Sequence, residues 1–317
     1  MRQLSSILVA LLLSVPVVAG AKRPGKQGFD ARQSVALFVG VRDFTDESLE
    51  PVPYAIDDAV DLACELALDH DPVLVAPNRV ILALSKGEPQ KPESRQKLAR
   101  LLASGATRVP AERKEITQSL EEQAKRVGRD GMVIVSFATH GVSGHETQHL
   151  LTASSRLNPL ADTVTDKEIS STLWSAEVPR SLVLIDACRE HLTRDRRGRA
   201  DARSAFSHVM TGVEGQVTIS GAPIGGWAYD DDERKNGVFT ATIIAGLQCG
   251  AAKDWHHFVT VETLNTYVSR EVLRWVRAHR NPHARRATQL TCEGVMRKMP
   301  LSICVNRTAA ADAPVLH

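Results

Sequence analysis

Apolar residues fall along this chain in short runs, separated by longer stretches in which apolar positions recur every three to four residues. Residues 34–41 (SVALFVGV), 80–84 (VILAL), 131–137 (GMVIVSF), 181–185 (SLVLI) and 216–220 (QVTIS) are bounded by polar residues and rich in β-branched side chains, which predicts strands. Their near-uniform apolarity suits strands covered on both faces. Residues 52–69 carry Ile56, Val60, Ala63, Leu66 and Ala67 at helical spacing, with Pro53 near the start, where its fixed φ is tolerated. The stretches 93–103 and 111–127 read as charged amphipathic helices, and 237–247 and 261–278 as helices after the last strand. Strands alternating with helices predict an α/β fold: a mostly parallel central sheet flanked by helices, in three α/β/α layers. No internal repeat is visible.

At 317 residues the chain is long enough for a core that needs no disulfides. Lys and Arg number 39 against 37 Asp and Glu, and the net charge of +2 excludes a generally basic nucleic-acid binder. Aromatic residues make up only 4%, leaving little from which to build base- or sugar-stacking surfaces. Arg2, the apolar run over 4–18 and the small residues Ala19-Gly20-Ala21 form a signal-peptide pattern, with cleavage expected near Ala21. The run is short for a bilayer-spanning helix, and no later stretch is long enough to stop transfer, so a periplasmic or secreted protein is expected, with an uncleaved anchor as the alternative. The expected organisation is a signal peptide over 1–21, a Gly/Pro/Lys linker over 22–33, a folded domain over 34–305 and a disordered tail over 306–317. Five cysteines in an exported chain leave at least one unpaired. Cys64, Cys249, Cys292 and Cys304 allow zero, one or two disulfides, and the sequence does not choose among them.

In open α/β sheets, sites lie outside the carboxyl ends of the strands. The strand over 131–137 runs out into Ala138-Thr139-His140-Gly141, and the strand over 181–185 into Asp186-Ala187-Cys188-Arg189. If the two strands are neighbours, His140 and Cys188 face each other across one crevice. A thiol beside neutral imidazole loses its proton readily and becomes a nucleophile, and the imidazolium then protonates a leaving group. Gly141 leaves room for a substrate carbonyl, and its N–H with that of Cys188 makes a candidate oxyanion site. Asp186, two residues before Cys188, projects from the same side of its strand and suits a cationic substrate side chain.

A second motif competes nearby. His145-Glu146-Thr147-Gln148-His149 fits the zinc-peptidase pattern, in which histidines one helical turn apart bind the metal and the glutamate activates water. It requires a helix, yet Gly141 and Gly144 precede it and residues 150–152 read as a strand. Glu168 is the one downstream candidate for a third ligand.

The segments SVALFVGV, YAIDDAVD (54–61), SFATHGV, LVLIDACRE and GVFTATIIAGL occur in the order and approximate spacing of caspase-like cysteine peptidases. The chain resembles that family, and in particular the bacterial relatives of the metacaspases (orthocaspases), from about Ser34 to Cys304. The resemblance implies a caspase-hemoglobinase fold, a His140/Cys188 dyad and peptide-bond hydrolysis through an acyl-enzyme without a cofactor. It also implies an Arg/Lys pocket walled by Asp186 and Asp58, with Asp57 standing where the family more often has Asn and Ala138 where serine is frequent. The large-subunit-like part would run to about 190, a basic linker over about 189–215, and the small-subunit-like part from about 216. Arg189, Arg194, Arg196, Arg197, Arg199 and Arg203 make that linker a candidate for self-cleavage, with a solvated loop as the plainer reading. The run Asp230-Asp231-Asp232-Glu233 offers a calcium site by analogy with some metacaspases or, as the plainer reading, a solvated turn, and Trp227 and Tyr229 fall where the family's substrate-binding loop would lie. The function expected is an exported endopeptidase acting on proteins or peptides with Arg or Lys before the scissile bond. The alternative is a catalytically silent module that keeps the fold to hold a partner.

Overall fold

The computed structural model describes residues 29–144, 147–188, 190–191, 215–223, 225–254, 256–292 and 295–304. The signal-peptide segment, linker residues 22–28, His145, Glu146, Arg189 with the remaining arginines of the basic stretch, and the tail over 306–317 lie outside the described residues.

The first half runs through β1 (Val35–Gly40), α1 (Ala55–Cys64), β2 (Val80–Leu84), α2 (Pro92–Ala103), β3 (Thr107–Pro110), α3 (Arg113–Arg126) and β4 (Val133–Ala138). Three strands follow, β5 (Gly141–Ser143), β6 (Gln148–Leu157) and β7 (Leu160–Thr165), then α4 (Asp166–Ser175) and β8 (Ser181–Asp186). The remainder holds β9 (Glu190–His191), β10 (Gln216–Ser220), β11 (Asp230–Asp231), β12 (Asn236–Gly237) and α5 (Val238–Ala245). It closes with β13 (Phe258–Thr260), α6 (Val261–His279), β14 (Gln289–Cys292) and β15 (Pro300–Ile303).

Seven strands form the central sheet in the order β14-β10-β8-β4-β1-β2-β3, all parallel except β14, which pairs antiparallel with β10. The chain steps outward from β1 to β2 and β3, then returns to β4 and continues through β8 to β10. The order therefore reverses between β1 and β4, where the carboxyl ends of the strands open a crevice. Alternation along β1 divides the core in two. Ala36 and Phe38 pack with Ile56 and Val60 of α1 on one face, while Val35, Leu37 and Val39 pack with Ile116 and Leu120 of α3 on the other. The first layer also takes in α2, α5 and α6, and the second takes in α4 through Ile169 and Leu173. The predicted three-layer arrangement is thus built from strands buried on both faces.

Helix starts follow local chemistry. Pro92 sits in the first turn of α2, and Thr165 with Glu168 closes a capping box on α4, as Thr260 with Thr263 does on α6. The helix predicted over 52–69 divides into α1 and a wider turn over Glu65–Asp69.

Strands with little apolar pattern escaped the sequence. β3 is an exposed edge reading TRVP, and β5, β6 and β7 pair antiparallel beside the main sheet with β9 parallel to β5; of this layer the sequence reads only residues 150–152 as a strand. Residues 29–33, read as the end of the linker, are packed: Phe29 is buried, and the Asp30 N–H donates to the Asp130 carbonyl at 2.6 Å. Cys249 and Cys304 form a disulfide, while Cys64 is a buried thiol that donates to Asp69 at 3.2 Å. No helix among the described residues is long and apolar enough to cross a membrane.

Candidate active site

Strands β4 and β8 pair in parallel register, ending with Ala138 opposite Asp186. Two residues further along each chain come His140 and Cys188, so the strand pairing itself sets them at one end of the crevice. The Thr139 N–H, donating to the Asp186 carbonyl at 3.2 Å, carries the ladder one step past the strands. A methyl group at Gly141 would strike the Cys188 carbonyl oxygen and come within 3.1 Å of Ala187 Cβ, so the two loops approach this closely only with glycine there.

His140 is held by two groups that the sequence did not point out. Its Nε2 lies 2.7 Å from the Glu50 carbonyl oxygen, and its ring stacks on Phe44 with centroids 5.3 Å apart. A carbonyl only accepts, so Nε2 carries a proton, and in the neutral ring the lone pair is on Nδ1. Both residues come from the loop after β1, across the reversal in strand order. Cys188 Sγ lies 3.7 Å from the Ala228 carbonyl oxygen, on the other wall.

Between these walls lies an 80 Å³ cavity whose carboxylates are Asp58, Asp186 and Asp230. Asp58, from the first turn of α1, accepts from Asn236 Nδ2 at 2.8 Å and from the Gly237 N–H at 2.9 Å. Asp186 accepts from the Thr240 hydroxyl at 2.7 Å and its N–H at 3.2 Å, at the start of α5, where the helix dipole favours an anion. Burial outweighs these bonds. It pushes the Asp186 carboxyl up to about 7, with the Asp230 charge adding to the rise, and burial together with the Asp186 charge raises Asp58 well above the carboxylate range. Burial and the neighbouring Asp232 bring Asp230 up to about 6. Three carboxyls crowded in this way hold their protons more tightly than ordinary carboxyls do.

The family model of the caspase domain matches residues 33–300. The chain belongs to the caspase-domain family. No curated protein matches it significantly. Among solved structures, protein GSU0716 of Geobacter sulfurreducens is similar at 14% identity and a TM-score of 0.52, over 85% of this chain and 98% of that one. Caspase-1 of Spodoptera frugiperda is similar at 13% identity and a TM-score of 0.50, over 92% of this chain and 93% of that one. At these identities the likeness is one of fold, and it agrees with the caspase-hemoglobinase architecture expected from the sequence. At family level the domain is of the cysteine-peptidase class, with protein substrates.

The other candidate residues of this caspase domain find different uses. Asp57, next to Asp58, turns away from the cavity and accepts from the Gln90 and Lys91 N–H groups at 2.9 and 2.8 Å, anchoring the loop before α2. His149 lies on strand β6, where its Nδ1 meets the Thr163 hydroxyl at 2.9 Å, so the helix that a zinc-peptidase motif requires is not formed there. Glu168 caps α4 and pairs with Arg113. The acidic run is an exposed turn at Asp232 and Glu233, but its first residues are engaged with the rest of the fold. Asp230 faces the cavity, Asp231 accepts from the Glu233 N–H at 3.0 Å, and Asp232 accepts from the Tyr54 hydroxyl at 2.9 Å. Among the described residues no group of three His, Cys, Asp or Glu side chains is arranged to hold a metal ion. Tyr229 lines the 80 Å³ cavity and, with the half-exposed Trp227, a neighbouring 300 Å³ groove that includes Arg285 and Arg286.

Proposed function

We propose that this chain is an exported cysteine endopeptidase that cleaves after Arg or Lys, with Cys188 as nucleophile and His140 as general base and acid. The single observation that carries the reading is the β4–β8 register, which brings His140 and Cys188 to one crevice beside a cavity whose carboxylates are all aspartates. A guanidinium or ammonium group entering that cavity neutralises the crowded charge of Asp58, Asp186 and Asp230. His140 takes the Cys188 proton at Nδ1, while the Glu50 carbonyl holds Nε2–H and keeps the ring in its tautomer. The thiolate attacks the scissile carbonyl, and the N–H groups of Gly141 and Cys188 receive the developing oxyanion. The imidazolium then protonates the departing amine, and water activated by His140 hydrolyses the thioester. Export is supported by the signal-peptide pattern and by the Cys249–Cys304 disulfide, a bond that persists in oxidising compartments. The proposed chemistry uses no cofactor: Asp230 faces the cavity, while Asp231 and Asp232 accept hydrogen bonds from the Glu233 N–H and the Tyr54 hydroxyl.

The decisive experiment is an active-site label. A peptide ending in an arginyl electrophile should modify Cys188 in the wild type. Absence of labelling under every activation condition would favour the silent binding module instead, and loss of activity on zinc chelation with Cys188 irrelevant would revive the zinc reading.

A further inference from the structure

We propose that the groove running from His140 across the carboxyl ends of β1, β2 and β3 receives the substrate residues that follow the scissile bond, and that it selects bulky apolar side chains there. This rests on the peptidase reading above. When the C–N bond breaks, the acyl carbon remains on Cys188 and the nitrogen takes its proton from His140, so the departing segment lies on the His140 side. In the sheet order, Cys188 follows β8 and His140 follows β4, and next come the ends of β1, β2 and β3. The ring of Phe44 stacks on His140 and also lines a 560 Å³ groove over those three strand ends. Leu84, Val109, Pro110, Ala111 and Ala153 complete its apolar lining.

Charges on its border are largely neutralised in place: Asp43 pairs with Arg42 and Arg108 with Glu88, each at 2.8 Å. Lys86 and Glu112 add one charge of each sign. The frame is preformed by backbone bonds, with the Thr45 N–H donating to the Ala153 carbonyl and the Ala153 N–H to the Ala111 carbonyl, each at 2.8 Å. Strands about 4.8 Å apart give the three ends a span of roughly 10 Å, enough for about three extended residues at ~3.3 Å each. Apolar surface of this depth rewards a leucine or phenylalanine over glycine or aspartate.

The test is a series of internally quenched peptides with one Arg at the cleaved position and Leu, Phe, Gly or Asp at each of the next three positions. For the wild type, kcat/KM should be roughly tenfold or more higher with Leu or Phe than with Gly at one of them at least. Ala153→Leu, which fills the groove, and Val109→Asp, which makes it polar, should each shrink that ratio to about twofold or less. Cleavage after Arg with rates indifferent to the downstream residue would overturn this inference and leave the peptidase reading standing. An apolar preference that both variants retain would also overturn it. No cleavage of any peptide, with no labelling of Cys188, would overturn both.

Discussion

Replacing Cys188 with alanine removes the thiol and little volume, so turnover of arginyl substrates should vanish while the melting temperature stays close to that of the wild type. His140→Ala should leave a residual rate well above the uncatalysed one, since binding and the oxyanion donors remain. Asp186 invites a sharper test, because its two roles oppose each other. Asp186→Asn should lower kcat/KM for Arg substrates by about one to two decades, the value of a charge-assisted hydrogen bond of roughly 1.5–3 kcal/mol. The same change should stabilise the folded chain at alkaline pH. A carboxyl held at about 7 in the fold, against 3.8 ordinarily, binds its proton more tightly folded than unfolded. The associated stability is therefore fully present below pH ~4 and lost as pH rises through ~7. Melts at pH 5 and pH 8 should show a fall for the wild type that is smaller in Asp186→Asn, with a gain of at least ~1 kcal/mol at pH 8. Loss of activity without this pH-dependent gain would mean that Asp186 is already ionised at pH 5 in the free protein.

Among the elements, the loops at the ends of β4 and β8 are locked by contact as well as by register. Gly141→Ala would push a methyl into the Cys188 carbonyl, so kcat should fall by at least about a hundredfold, the cost of small misplacements at a reacting centre. Circular dichroism should remain that of the wild type. The disulfide, whose cysteines do not line the cavity, offers a control. Replacing Cys249 and Cys304 by serine removes the link between the turn after α5 and the segment after β15. It should lower unfolding stability by about 2–5 kcal/mol in urea titrations, with kcat/KM for a short arginyl substrate unchanged at temperatures where the variant is folded.

For the molecule as a whole, an enzyme that cleaves after basic residues carries its own candidate substrate in the arginine-rich stretch that follows Cys188. Purified wild type should accumulate a break between Arg189 and Arg203, seen by electrophoresis and mass spectrometry, while Cys188→Ala handled identically stays one chain. Equal nicking of both would assign the cut to a contaminating protease, to which exposed polar loops are generally open. Full activity of an unbroken wild-type chain would separate processing from activation.

The sequence by itself determined the layered α/β class, because a strand buried on both faces must be apolar throughout and a flanking helix must be apolar on one side only. It also determined the dyad candidates, because the functional ends of parallel strands are marked by where each apolar run stops: His140 and Cys188 each stand within three residues of such a stop. Edge strand β3, β5, β7 and the part of β6 beyond residues 150–152 were illegible, since they lie at a sheet edge or in a small side layer where only a few side chains such as Leu150 and Val164 are buried and no sustained apolar period is required. Only the tertiary structure decided what lies opposite each candidate. It turned Asp58 into the cavity and Asp57 onto the loop before α2, brought Asp230 from a run read as solvent-facing, chose Cys249 with Cys304, and laid Phe44 and the Glu50 carbonyl against His140. Partners separated by tens of residues to well over a hundred leave no local period, and a backbone carbonyl leaves no residue type at all, so contacts of this kind exist only once the chain has closed on itself.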